Sequence, residues 1–286
     1  MESYFALLSL IVSPVLIVGV GLWIVRWFQG EHRRKSPVSR KVCRYAGFTL
    51  TKEVEDLNER LSNDLTMLLL IPAVTVGVSG IGFVKLSGLL TWIVFLTIYL
   101  GAIGFFVFRL FKTSQILRRN RLGLAGEQLV GHQLTELLRV GFYVFHDFPT
   151  DFGNIDHVVV GPPGVFAIET KYKRKVKNEK DGHKISFNNQ VIRFPDAETS
   201  KPLEQAKRQA NELSNQLEKV FGGVPVTPVI VYLGWYVTRE AARTEVQVMN
   251  DKQVVSWLSK EGRSLDDQTV KRIAAFLEEK CRDVEL

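Results

Sequence analysis

Polar and apolar positions divide this chain sharply near residue 121. Before it, residues 4–25, 65–84 and 86–108 form runs of 22, 20 and 23 positions without Asp, Glu, Lys or Arg. A helix needs roughly 20 apolar residues to cross the hydrocarbon core of a bilayer, so each run predicts a transmembrane helix. Only Lys85 separates the second run from the third, which requires a tight hairpin near 80–88 or a re-entrant segment. The first run does not read as a cleaved leader. Met-Glu-Ser opens it where a basic segment belongs, it is longer than the usual apolar region, and Trp23 and Trp27 stand where small residues would precede cleavage. Within 52–63, Val54, Leu57 and Leu61 recur at helical spacing and predict a helix leading into the second run.

After residue 121 the pattern becomes that of a globular α/β domain. Leu124, Leu129, Val130, Leu134, Leu137 and Leu138 make a helical stripe over 124–140, with Gly141 as its stop. Residues 142–148, 155–160 and 165–171 read as strands, the last two joined by Gly161-Pro162-Pro163-Gly164. A peripheral strand pair is expected around Ile185, Phe187, Val191 and Ile192. A helix follows Pro202 and ends at Gly222-Gly223, and the β-branched run 226–232 fits a buried strand. A shorter strand at 246–249 and helices over 251–259 and 266–281 complete the order. The expected fold is an α/β sandwich around a mixed sheet, preceded by an all-α region of three transmembrane helices. The corresponding domains are a membrane anchor over 1–121, with a loop at 26–64 and a basic linker at 109–121, and a soluble domain over 122–286.

Charge changes the picture only once it is divided. The formal net charge is +7, but residues 1–121 hold 15 Lys and Arg against 7 Asp and Glu, whereas 122–286 hold 22 against 23. The basic excess flanks the apolar runs: Arg26, Arg33, Arg34, Lys35, Arg40, Lys41 and Arg44 after the first, and Arg109, Lys112, Arg118, Arg119 and Arg121 after the third. That is a positive-inside pattern, which predicts a multi-pass protein of the cytoplasmic membrane. The N-terminus would lie outside and the C-terminal domain in the cytoplasm, with anionic lipid as a partner of the basic segments. The basicity therefore does not by itself argue for nucleic-acid binding. No ionisable residue interrupts the runs, which argues against a transport pathway. Two cysteines, Cys43 and Cys281, have no partner motif and are expected as free thiols, and the five histidines show no ligand spacing.

The sharpest chemistry lies between 154 and 171. Asp156 precedes Val158-Val159-Val160, and Glu169 ends the apolar strand Val165-Phe166-Ala167-Ile168, positions where a carboxylate is costly unless something binds it. Alternation along a strand puts Glu169 and Lys171 on one face, and the hairpin brings Asp156 beside them. Two carboxylates, with the Thr170 carbonyl as a further oxygen, suit Mg²⁺ or Mn²⁺, and an adjacent lysine suits a developing oxyanion. A Glu-x-Lys pair alone is a common exposed ion pair worth little.

Three ordered motifs take it further: Gly123-Leu-Ala-Gly126-Glu127, then Asn154-Ile-Asp156-His157-Val-Val-Val-Gly-Pro, then Gly164-Val-Phe-Ala-Ile-Glu169-Thr-Lys171. Over roughly 120–235 this resembles the nuclease-related domain family, a branch of the PD-(D/E)xK nuclease superfamily. The resemblance implies a restriction-endonuclease-like sheet and a metal-dependent nuclease. Asp156, Glu169 and Glu127 would serve the metal, and Lys171, Glu127 and Gln205 would be catalytic, Gln205 bordering the site with Gln209 one turn on as its competitor. His157 is expected to face away from Asp156 as a packed or hydrogen-bonded residue. Lys173, Arg174, Lys175 and Lys177 are the candidate contacts to nucleic acid, DNA in the first instance. The alternative is an inactive module of the same fold that binds nucleic acid or protein at the membrane, and the near-neutral soluble part favours it.

Overall fold

The computed structural model describes residues 41–80, 89–151, 153–175, 181–260, 262 and 264–285. The described residues separate into two compact units, one within Val54–Arg119 and the other of Lys41–Glu53 with Asn120–Glu285. In chain order the elements are β1 (Val42–Cys43), α1 (Phe48–Gly80), α2 (Leu89–Leu134), a 3₁₀ turn (Thr135–Val140), β2 (Tyr143–Thr150), β3 (Gly153–Gly161) and β4 (Gly164–Lys171). There follow β5 (Lys184–Phe187), β6 (Ile192–Arg193), β7 (Glu198–Thr199), α3 (Lys201–Phe221), β8 (Val226–Tyr232), β9 (Tyr236–Arg239) and β10 (Gln247–Asn250). The last are α4 (Val254–Lys260), α5 (Asp267–Cys281) and β11 (Arg282–Val284).

In the second unit a five-stranded mixed sheet runs β10-β8-β4-β3-β2. Strands β2, β3 and β4 form an antiparallel meander, and β4, β8 and β10 run parallel. The β3–β4 turn is the two-proline hairpin, in register at Gly161↔Gly164. Gly161 is required there: a Cβ would lie 2.2 Å from the Phe142 ring. The Pro162 carbonyl accepts from the amides of Ser264 and Leu265, which fixes the turn against the chain entering α5.

Side-chain alternation sorts the sheet into two faces. Val158, Val160, Val165 and Ala167 pack with Ala210, Leu213 and Leu217 of α3 and with Val270, Ile273 and Leu277 of α5. Val159, Phe166, Ile168, Val229 and Val231 pack with Val130 and Leu134 of α2, Leu137 of the 3₁₀ turn and Leu258 of α4. Burial on both faces explains why these strands read as unbroken apolar runs. A second sheet, β7-β6-β5-β9, shares a third cluster with Leu203, Ile230, Tyr232 and Trp235. The expected α/β class, with a mixed sheet flanked by helices, is what the chain adopts; β7, β9 and the β1–β11 ladder had no strong strand pattern in the sequence.

The first unit departs more from expectation. Among the described residues one segment, Leu96–Val140, is long and apolar enough to cross a membrane, and its most apolar stretch is not buried. Three transmembrane helices are therefore not supported. The run at 4–25 and the turn at 81–88 lie outside the described residues, and α1 carries most of the run at 65–84 as the latter part of a helix that begins at Phe48. Residues 110–121, expected as a linker, are helical inside α2. No proline or glycine occurs between 105 and 122, and Leu, Arg, Lys and Gln sustain a helix. Asp64, almost fully buried, is held by Arg109 at 2.9 Å.

Candidate active site

The site lies where two paired strands separate. The β3–β4 register ends at His157↔Ile168, so Asp156 and Glu169 are the next facing position, just past the ladder. Strand β4 keeps its other partner and continues alongside β8 as far as Lys171↔Tyr232. At this fork the Thr170 amide donates to Asp156 Oδ2 at 2.6 Å in place of a cross-strand bond. The hairpin thus sets two buried carboxylates side by side.

Helix α3 supplies the other wall. Pro202 sits in its first turn, and Leu203, Ala206, Ala210, Leu213 and Leu217 bury its apolar stripe. Gln205 and Gln209, one turn apart, project along the same edge. Gln205 Nε2 donates to Glu169 Oε1 at 2.8 Å while its Oε1 accepts from Lys171 Nζ at 2.9 Å. Lys171 Nζ also donates to Glu169 Oε1 at 2.5 Å. Gln209 Nε2 donates to Glu169 Oε2 at 2.8 Å and to the Asn154 carbonyl at 2.9 Å. Of the two competing glutamines, both hold Glu169.

Glu127 enters from α2, 8% exposed, and its Oε2 has no hydrogen-bond partner. Burial raises its carboxyl to about 8, helped by Asp147 and Glu169 and opposed by Lys171. Burial likewise pushes Asp156 well above the carboxylate range, with Glu169 and then Glu127 adding to it; the Thr170 amide and Lys171 oppose it. Tyr232, paired with Lys171 across the β4–β8 ladder, is raised by burial and by the Glu169 carboxylate. Three acids therefore share a poorly solvated space with Lys171 as the cation hydrogen-bonded there.

Among the described residues no three His, Cys, Asp or Glu side chains form a ready-made metal cage. The donor set nonetheless fits a hard cation. Magnesium is commonly held by one or two carboxylates with water and substrate oxygens, and here a buried carboxylate oxygen of Glu127 lacks any partner.

The remaining sequence candidates divide. Lys173 bonds Asp196 at 2.8 Å and sits 3.7 Å from the Phe194 ring centroid, so it is engaged within the fold. Arg174 and Lys175 are exposed, and Lys177 lies outside the described residues. His157 is fully buried away from Asp156, its Nδ1 2.9 Å from His146 Nδ1, and burial lowers both imidazoles, His146 to about 4. The sequence did not single out Asp147 or the side chain of Asn154, which connect to this wall.

Residues 122–233 match the nuclease-related domain family, a match that suggests a nuclease-like fold. No curated protein and no solved structure matches the chain.

Proposed function

We propose that this domain is a metal-dependent phosphodiesterase that cleaves nucleic acid, with DNA as its first candidate substrate. The observation that supports it is the trio Asp156, Glu169 and Glu127 at the strand fork: burial first, and neighbouring carboxylates after it, raise Asp156 and Glu127, and a bound cation would favour their ionised forms. Asp156 and Glu169 would hold Mg²⁺ or Mn²⁺, with Glu127 reaching the ion or a bound water. Such an ion supplies Lewis-acid charge and a more acidic water. Lys171 is oriented by Glu169 and Gln205 and presents its ammonium at the rim, suited to a phosphoryl oxygen gaining charge. Gln205 and Gln209 keep Glu169 in one rotamer, which favours a preorganised site. Arg174 and Lys175 are the exposed groups offered to the phosphate backbone.

The domain is further proposed to work at the cytoplasmic face of a membrane. Leu96, Ile98, Leu100, Phe105, Phe108 and Phe111 on α2 are each more than half exposed, an apolar flank that lipid would cover. The basic residues Arg109, Lys112, Arg118 and Arg119 follow on the same helix.

The test is cleavage by the full chain of single- and double-stranded substrates with Mg²⁺ or Mn²⁺. Lys171→Ala and Asp156→Asn are each expected to lower it about 10²–10³-fold, and activity that neither substitution lowers rejects the proposal. A second reading, an inactive binding module, draws on the near-neutral charge of 122–286, which holds 22 basic against 23 acidic residues. A Mn²⁺ titration that finds no site dependent on Asp156 and Glu169 would favour that module.

A further inference from the structure

A continuous line of hydrogen bonds joins the segment before α1 to the wall of the candidate site. Arg44 Nη1 donates to the carbonyl of Asp147 at 3.0 Å and to its carboxylate at 3.4 Å. Its Nε and Nη2 hold the two carboxylate oxygens of Asp283 at 2.9 and 2.5 Å. Thr49 Oγ1 donates to Asp147 Oδ2 at 2.6 Å. From there Asn154 Nδ2 donates to Asp147 Oδ1, the Asn154 carbonyl accepts from Gln209, and the same Gln209 amide donates to Glu169.

Asp147 is not an ordinary strand residue. It is fully buried with φ 52°, and pairing of β2 with β3 skips it between His146↔His157 and Phe148↔Ile155. Aspartate tolerates the left-handed region better than most residues, yet such a backbone persists only where its surroundings hold it. The upstream segment does this at close range. Gly47 has φ 76°, and a Cβ there would fall 2.3 Å from Leu124 Cδ1 and 3.6 Å from Glu127 Oε2. Strand β1 pairs with β11, which fixes the segment at its other end.

We infer that Asp147, clamped by Arg44 and Thr49, is a positioning residue: it sets Asn154 and thereby aims Gln209 at Glu169. Its consequence for turnover rests on the nuclease reading above; the aiming of Gln209 does not. A merely structural ion pair would hold the fold and leave the Gln209 amide indifferent to the polarity of the Asp147–Asn154 bond.

The experiment uses the full chain labelled with ¹⁵N-glutamine, the Gln209 side-chain amide being assigned by its loss in Gln209→Glu. Asp147→Asn leaves one acceptor oxygen where two are used, so Asn154 Nδ2 must compete with Thr49 and Arg44 for it. It is expected to shift the Gln209 amide signals and speed their solvent exchange, and to lower kcat about tenfold with KM within about twofold. The double variant Asp147→Asn with Asn154→Asp exchanges donor and acceptor. It is expected to return the Gln209 signals and bring kcat within about threefold of the parent. Unchanged Gln209 signals in folded Asp147→Asn overturn the inference, as does a double variant that regains its thermal midpoint but not those signals. Should Asp147→Asn fail to fold, Thr49→Val removes one hydrogen bond at constant volume and is read the same way. A parent chain that cleaves nothing removes the nuclease reading, and the amide signals alone then decide the positioning role.

Discussion

Two groups of buried acids in one domain are treated in opposite ways. Asp147 is surrounded by donors: Arg44, Thr49 and Asn154 all bond its carboxylate, and Arg44 is itself shared with Asp283. In the second group Glu169 is held by Lys171, Gln205 and Gln209 and Asp156 by the Thr170 amide, but one oxygen of Glu127 has nothing. Removing a carboxylate from water is costly wherever it happens. In the first group the protein offsets that cost within itself, so the charge holds the fold together. In the second it does so only in part: burial leaves Glu127 and Asp156 raised, an electrostatic tension that an added cation would relieve. Incomplete compensation, more than burial, separates the candidate site from the scaffold.

Substitution should therefore move stability in opposite directions at the two places. Arg44→Ala leaves the buried Asp147 carboxylate without its cationic donor and is expected to cost about 3–5 kcal/mol in chemical denaturation. Asp156→Asn, in metal-free buffer at pH 8, is expected to leave stability unchanged or raise it while reducing cleavage about 10²–10³-fold, the scale of losing one preorganised electrostatic partner. Loss of stability in both variants would show that the two groups do not differ in kind.

Acidity gives a second test, confined to the uncompensated group. The Glu127 carboxyl is raised from 4.5 to about 8, so the folded chain holds its proton more tightly than the unfolded chain does. That contribution is fully present below about 4.5 and is lost as pH rises through about 8. Between pH 5 and pH 8 without metal, the parent should lose on the order of a few kcal/mol relative to Glu127→Gln, which cannot ionise. Adding Mg²⁺ should shrink the difference, because a cation stabilises the ionised acid. A gap between parent and Glu127→Gln that does not change with pH would remove the electrostatic tension from the account.

The two groups also differ in how far the sequence disclosed them. Asp156 and Glu169 were legible because the Gly-Pro-Pro-Gly turn fixes a two-residue hairpin, and from Gly161↔Gly164 the facing positions follow by counting. Gln205 was implied by the family resemblance, with Gln209 one turn on as its competitor, and neither resemblance nor spacing could say that both reach Glu169. The Asp147 group was not legible. Phe145-His146-Asp147-Phe148 reads as plain strand, and nothing local marks the positive φ. Arg44 and Asp283 are 239 positions apart, and the two-residue strand that brings the region of Arg44 into place has no periodicity to detect. The basic run at 110–121 misled for a related reason: its charges suggested a linker, while its lack of helix breakers allowed α2 to continue through it.

The smallest expected effect divides the basic residues that follow Lys171. Lys173 is tied to Asp196 and lies over the Phe194 ring, so it belongs with the compensated charges. Lys173→Ala should cost about 1 kcal/mol or less in stability, since its ion pair is partly exposed and the ring contact is worth a similar amount. Arg174→Ala and Lys175→Ala remove exposed side chains and should leave stability within about 0.5 kcal/mol. If those two meet phosphate, each substitution lowers the slope of log affinity against log salt by about one, because one fewer counterion is released on binding. Measuring binding to a short DNA duplex at several salt concentrations, in Ca²⁺ to suppress cleavage, separates the roles. A slope lowered by Lys173→Ala but by neither of the others would move Lys173 to the substrate side and place Arg174 and Lys175 among charges that only face solvent.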